Sequence, residues 1–335
     1  MVINQSSKGV INDNFKRQIN YLRISVTDRC NLRCIYCVSN SSFKMLDHKD
    51  ILQYEEIIKF VKIISKMGIY KIRITGGEPL LRKGLIEFIC LLKEIKEIKE
   101  ISLTTNGVLL VENVKDIKDA GINRLNISID TLDRQKYKKI TGKDYWNKVW
   151  EGINIAKKIG ISPIKLNVVL MKGINDDELD SFAKLSIDEE YAVRFIEYMP
   201  FGQQKNKFSD FYFPLNKAKK QLEKYGKLIP VSSDKGDGPA DRYKWDKGLG
   251  EIGLIHPISR HFCKTCNRLR LTADGKLRPC LLSDYEQDIK SLLRNNYNEK
   301  IIQDIIIETV KQKQYKHGNV FKLQNIITQM SDIGG

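Results

Sequence analysis

Apolar and polar residues alternate along six short stretches of the chain: YLRISVT (21–27), KIRIT (71–75), ISLTT (101–105), RLNISID (124–130), IKLNVVL (164–170) and VRFIEYM (193–199). A period of two in β-branched sequence predicts strands. Between them lie segments with the spacing of an amphipathic helix. YEEIIKFVKIISKMG and WNKVWEGINIAKKIG each carry an apolar stripe and end on a glycine, a common helix stop. Strand followed by helix, repeated six times, predicts parallel strands joined by right-handed crossovers. The fold class is therefore α/β, a partial (β/α)6 TIM-like barrel. An antiparallel sheet with one wet face gives the same alternation, and the intervening helices speak against it.

The two faces differ sharply. One carries Leu22/Ile24/Val26, Ile72/Ile74, Ile101/Leu103, Leu125/Ile127/Ile129 and Leu166/Val168/Leu170, which packs on helices. The other carries Arg23/Ser25/Thr27, Lys71/Arg73/Thr75, Ser102/Thr104, Asn126/Ser128/Asp130 and Lys165/Asn167, too polar for the filled interior of a closed eight-stranded barrel. A hydrated, ligand-filled cavity is expected there. Arg23, Arg73 and Lys165 converge in it, and confined cations call for an anionic occupant.

Beyond residue 200 the rhythm changes to FGQQKNKFSDFYFPLNK and SSDKGDGPADRYKW, with no further strand–helix repeat. We expect two regions: residues 1–200, the barrel, and residues 201–335, a less regular C-terminal extension. With 41% hydrophobic and 29% charged residues over 335 positions, the composition is that of a soluble globular protein. No stretch approaches the roughly 18 apolar residues of a membrane helix, and the N-terminus lacks a signal-peptide core. A cytoplasmic protein without a membrane partner is expected. The net charge of +16 raises the question of nucleic acid, but the lysines alternate with glutamate in runs such as CLLKEIKEIKE. Nucleic acid is not expected as a partner; a small polyanion is the sharper form of the idea.

Seven cysteines in a reducing compartment favour metal or redox chemistry over disulfides. Cys30, Cys34 and Cys37 stand at C-x3-C-x2-C on a loop after the first strand, and the nearest histidine, His48, is eleven residues further on. Three thiolates suit a 4Fe-4S cluster with one iron left open for a small molecule, while a structural zinc borrowing a distant ligand stays open from spacing alone. Cys263, Cys266 and Cys280 form a second trio at C-x2-C-x13-C. There His261 or His256 is available to complete a zinc site, so on spacing zinc and cluster stand level. Cys90, in LIEFICLLKEI, is expected as a buried thiol on an apolar helix face. His48 and His317 receive no role.

C-x3-C-x2-C with Tyr36 before the last cysteine, followed by ITGGEPLL (74–81) after the next strand, resembles the radical S-adenosylmethionine enzymes. In that family the open iron chelates S-adenosylmethionine, and an electron from the cluster cleaves its C5′–S bond to give a 5′-deoxyadenosyl radical. LRISVTDRCNLRCIYC, IRITGGEPLLR, LTTNG, KLNVVLMKGIND, RFIEYMP, CNRLRLTADGKLRPCL and the terminal GG, in that order, further resemble the GTP 3′,8-cyclase family, molybdenum cofactor biosynthesis protein A.

That resemblance implies two 4Fe-4S clusters, the second on Cys263, Cys266 and Cys280 with its open iron at the guanine of GTP. It implies S-adenosylmethionine contacts from Tyr36, Gly77, Ser128 and Met199. GTP contacts would come from Arg23, Arg73, Thr104, Lys165, Arg268, Leu269 and Arg270. The implied reaction removes hydrogen from C3′ of GTP, joins C3′ to C8 of guanine, and ends in (8S)-3′,8-cyclo-7,8-dihydro-GTP after an electron and a proton are added. Arg268 and Arg270 are the catalytic candidates, stabilising the intermediate or finishing the reduction. The resemblance also implies an external electron donor and hand-off of product to cyclic pyranopterin monophosphate synthase, and leaves a homodimer open. Gly334-Gly335 resembles a family tail that enters the active site. Two departures stand out. Val38-Ser39-Asn40 replaces a usual Met-Pro near the S-adenosylmethionine loop, and Lys16-Arg17 replaces a common Gly-Arg, a change expected to be peripheral. A peptide-modifying two-cluster enzyme and a zinc-stabilised nucleic-acid module are the rival readings; the first has no need of the cationic lumen or of NRLR, and the second predicts zinc without iron.

Overall fold

A computed structural model describes residues 9–37, 45–199, 201, 208–231, 238–295, 298–316 and 330–334. Val38-Ser39-Asn40, His317 and Gly335 lie outside the described residues. A short hairpin, β1 (Ile11–Asn12) and β2 (Gln18–Ile19), leads into β3 (Tyr21–Ser25). There follow β4 (Lys71–Thr75), β5 (Glu100–Thr105), β6 (Leu125–Ser128), β7 (Ile164–Leu170) and β8 (Ala192–Glu197), each parallel to the one before. All six alternating stretches are thus strands, trimmed by a residue or two where the chain leaves the sheet.

Strand order advances by one at each step, so right-handed crossovers put the intervening helices on one side of the sheet. Helices Tyr54–Lys66, Leu85–Lys93, Leu110–Asp119 and Trp146–Lys158 press their apolar stripes against Leu22, Ile24, Ile72, Ile74, Leu103, Ile127 and Leu166 in one continuous core. The opposite face receives no helix from these crossovers. It is left to hold the polar residues.

The C-terminal region extends the sheet instead of standing apart. It adds β9 (Leu228–Val231), β10 (Asp241–Trp245), β11 (Glu251–Ile255), β12 (Arg268–Leu271), β13 (Lys276–Arg278) and β14 (Gln287–Asp288). β11 runs parallel to β8 and carries β10 and β9; β12 runs parallel to β3 and carries β13 and β14. One 12-stranded sheet results. RLRL in β12 has the alternation of the barrel strands, but four residues are too few for a period to announce itself.

Two readings of the sequence need correction. Cys90 is exposed, because Leu85, Phe88, Ile89 and Leu92 form the buried i, i+3, i+4, i+7 stripe of its helix and Cys90 falls one position off it. The Lys16-Arg17 pair is not peripheral. Lys16 has φ of +62°, so the turn between β1 and β2 holds a side-chain-bearing residue in the left-handed region. The frequent glycine of the family has a physical reason there. Arg17 is buried and reaches the second cysteine group. We therefore expect Lys16→Gly to stabilise the cluster-free chain by about 1 kcal/mol, removal of left-handed strain outweighing the added freedom of the unfolded chain. Urea denaturation checks this, and a lowered midpoint contradicts it.

Candidate active site

A cavity of about 250 Å³ runs along the polar face of the sheet, from Arg268 at the start of β12 past Arg23 and Arg73 in mid-strand to Ser128 at the end of β6. Its floor is set by register. Arg278, Arg270, Arg23 and Arg73 are consecutive cross-strand partners on β13, β12, β3 and β4, so their side chains leave the same face side by side. Arg278, at the outer end, is neutralised by Asp284 and Glu286 at 3.7 and 3.5 Å. The other three line the cavity with Arg268 and Arg194. Burial first, and then Arg270 and Arg73, push the Arg23 guanidinium well below its usual range; burial and then Arg268 bring Arg270 down to about 10. Arg73 Nε and Thr104 Oγ1 are buried without a hydrogen-bond partner. Both are polar atoms aimed at a ligand-sized space.

The first cysteine loop is locked from below by the stretch after β4. Gly77 N–H donates to Thr27 O at 2.7 Å and Glu78 N–H to Arg29 O at 2.7 Å. A Cβ on Gly77 would stand 2.4 Å from Arg29 O, so the glycine here makes room for the cysteine loop itself. Glu78 is fully buried and accepts from Leu80 N, Thr105 Oγ1 and Asn106 N at 3.1, 2.8 and 2.7 Å; burial raises its carboxyl to about 7 against the pull of those donors. Asn106, so placed, donates to Asn31 Oδ1 at 2.8 Å and lies 3.7 Å from Cys30 Sγ. Burial raises the Cys34 thiol well above its usual range, with Asp130, Cys37 and Cys30 adding to the effect. The three sulfurs are thus electrostatic neighbours in a pocket that already donates to Cys30, a donor set that fits an iron–sulfur cluster. Tyr36 hydroxyl donates to Asp130 at 2.8 Å, and Asp130 accepts Val169 N at 2.8 Å, which ties the loop to β7.

Across the cavity, Cys263, Cys266 and Cys280 contribute directly to its wall. Burial alone would raise the Cys266 thiol, but Arg268 and Lys313 outweigh it and bring it down to about 6. Leu282 N donates to Cys280 Sγ at 3.3 Å. The segment leading to this trio hangs on Glu197 at the end of β8, which accepts Ile258 N and Ser259 N at 2.9 Å each and Ser259 Oγ at 2.5 Å. His256 faces Glu197 and Asp241 at 3.7 and 3.6 Å, whereas His261 lines the cavity. The chain terminus also arrives here. Arg270 Nη1 donates to Gly334 O at 2.8 Å, and a Cβ on Gly334 would stand 2.7 Å from Ser25 Cβ.

The comparisons with known proteins agree with this geometry. The model of the Radical SAM superfamily matches residues 24–186, and that of Molybdenum Cofactor Synthesis C matches residues 191–319. GTP 3′,8-cyclase of Thermodesulfovibrio yellowstonii is 50% identical over 325 residues, covering 96% of this chain and 99% of that one. The chain belongs to the GTP 3′,8-cyclase family. Members from Petrotoga mobilis and Listeria monocytogenes are 44% and 41% identical, with 96% and 97% of this chain covered and 99% of each relative. Among solved structures, Streptococcus suis SuiB bound to S-adenosylmethionine superposes with a TM-score of 0.58 at 15% identity, over 86% of this chain and 68% of that one. AnSMEcpe with bound AdoMet gives 0.56 at 18% identity, over 88% and 81%. These two show the shared radical S-adenosylmethionine fold, the setting in which one 4Fe-4S cluster and S-adenosylmethionine belong.

Of the residues expected from sequence to serve a GTP 3′,8-cyclase, Tyr36, Ser128, Met199, Arg23, Arg73, Thr104, Arg268 and Arg270 line one cavity. Lys165 is buried on β7 in the same cross-strand row as Thr104 and Asn126, and is not among the residues that line the cavity. Gly77 supports the cysteine loop, and the Leu269 side chain is fully buried in the core, which leaves its backbone for any contact. Sequence reasoning passed over Glu78, Asn106, Arg194 and Glu197, although each stands inside or beside a quoted motif, and it placed Asp130 on the polar face without giving it a role. An acid flanked by turn residues is the signal that was available. Glu78→Gln places an amide N–H against Asn106 N–H, so we expect a loss of roughly 1–3 kcal/mol in stability. Less iron should be retained by the first trio. Urea denaturation and iron analysis with Cys263, Cys266 and Cys280 replaced by alanine test this; unchanged stability and iron contradict it.

Proposed function

We propose that this chain converts GTP to (8S)-3′,8-cyclo-7,8-dihydro-GTP, the first step of molybdenum cofactor biosynthesis. The observation that carries the reading is the in-register row of Arg270, Arg23 and Arg73 beside buried, unsatisfied Arg73 Nε and Thr104 Oγ1, in one cavity with Cys263, Cys266 and Cys280. A triphosphate supplies the charge and acceptors that this floor lacks. In this reading residues 1–200 bind a 4Fe-4S cluster on Cys30, Cys34 and Cys37 together with S-adenosylmethionine, which when bound supply the 5′-deoxyadenosyl radical. Residues 201–335 hold a second 4Fe-4S cluster on Cys263, Cys266 and Cys280 at the guanine end.

The chain's own groups orient and insulate. Tyr36, Ser128 and Met199 border the S-adenosylmethionine side; Arg23, Arg73 and Thr104 grip the phosphates and ribose; Lys165 adds charge from the same strand row as Thr104. Arg268, toward the guanine end, and Arg270, the member of the phosphate-binding row nearest to it, hold charge near the reacting centre. The Gly334 carbonyl accepts from Arg270 and so steadies that guanidinium. For the C-terminal trio the cluster reading has this support: His256, one of the two histidines that could complete a zinc site, is turned to Glu197 and Asp241.

Anaerobically reconstituted protein is expected to carry about eight irons. With reductant and S-adenosylmethionine it should form 5′-deoxyadenosine in the presence of GTP, and little when ATP replaces it. Equal turnover with ATP removes the substrate assignment. Arg73→Ala should weaken GTP binding roughly ten- to hundredfold, the worth of a charge-assisted hydrogen bond, in anaerobic equilibrium dialysis. An unchanged affinity contradicts the phosphate role.

A further inference from the structure

Lys313 follows helix Glu299–Lys311 and is buried, 4% exposed, beside the C-terminal cysteine trio at the edge of the cavity. Its ammonium donates to Arg268 O at 2.7 Å and Pro279 O at 2.8 Å, and lies 3.8 Å from Cys266 Sγ. Pro279 precedes Cys280, and Arg268 stands two residues after Cys266, so one cation ties together the two chain segments that present those sulfurs. Arg17 does the corresponding service for the third: its Nη1 donates to Cys263 O and its Nη2 to Gln314 O at 3.0 Å. Arg17 is itself paired with buried Asp13 and brings no net charge. Lys313 enters no ion pair among the described residues. Two carbonyls and a sulfur compensate a buried ammonium only in part.

We propose that Lys313 is a positioning residue for the C-terminal iron–sulfur cluster: it braces Cys266 and Cys280 at the spacing the cluster needs, and its charge raises that cluster's reduction potential. The inference rests on the second cluster proposed above. A fixed positive charge beside thiolate sulfur in a low-dielectric setting favours the more negative, reduced form, and hydrogen bonds to sulfur act in the same direction. Removing it drives the potential more negative.

The test uses the full chain with Cys30, Cys34 and Cys37 replaced by alanine, so that the C-terminal trio is observed alone, reconstituted anaerobically and titrated by EPR-monitored redox potentiometry. Lys313→Gln keeps an amide able to donate to both carbonyls but removes the charge. It is expected to hold a cluster with a midpoint more negative than the parent's, or to retain less iron, while Lys313→Arg stays close to the parent. An unchanged midpoint and iron content in Lys313→Gln overturns the proposal, as does failure of both variants to fold, which marks a purely structural role. A parent that holds no iron on this trio overturns the second-cluster reading and this inference with it. A parent with a cluster that Lys313→Gln leaves unaltered overturns this inference alone.

Discussion

Positive charge held in a confined space is the constraint on which the rest of this structure depends. The parallel register of β12, β3 and β4 forces Arg270, Arg23 and Arg73 onto one face of adjacent strands; Arg73 and Arg270 enter no ion pair among the described residues, while Arg268, despite its burial, is held charged by the Cys266 sulfur beside it. The uncompensated burial of such groups costs several kcal/mol each. The chain offsets part of it with weaker means: the ring of Tyr21, with Arg73 and Lys71 at 5.6 and 5.3 Å; the ring of Phe262, with Arg268 at 4.8 Å; and the carbonyl of Gly334. In the proposed reading, what remains is met by the phosphates of the substrate. Arg278 shows the alternative, since the same row position one strand further out is ion-paired with Asp284 and Glu286 and lies outside the cavity.

The helix-free face that holds these charges follows from topology. Six strands taken in chain order with right-handed crossovers put the helices outside, and the sheet stays open until the C-terminal strands extend both of its ends. The two cysteine groups are then held by unlike means. The first sits on a loop pinned by backbone, with Gly77 packed against Arg29 and Glu78 gathering donors from the end of β5. The second is held largely by buried side-chain cations on its carbonyls and by Glu197 at the end of β8. In both, an acid or base buried away from solvent fixes the sulfur ligands through other groups.

The barrel and its polar floor were legible in the sequence because a period of two survives in strands of five to seven residues, as in Tyr21–Ser25 and Ile164–Leu170. The cysteine trios were legible as spacing. The residues that hold them were not. Asn106 reaches Cys30 from 76 positions away and Arg17 reaches Cys263 from 246, separations at which no local pattern carries information. Gly77, expected as an S-adenosylmethionine contact, also makes room for the neighbouring backbone of Arg29, a role invisible without the loop's path. Cys90 failed by one helical position, since an apolar run such as FICLL leaves the phase of its buried stripe ambiguous.

The central claim is that the row of arginines exists to bind a polyphosphate between the two cysteine groups. The most direct measurement is the affinity of the anaerobic holoprotein for GTP, GDP, GMP and guanosine, each at two salt concentrations. Affinity should fall with every phosphate removed, and the salt dependence should shrink in step. Guanosine binding as tightly as GTP, with no salt dependence in either, would contradict the account.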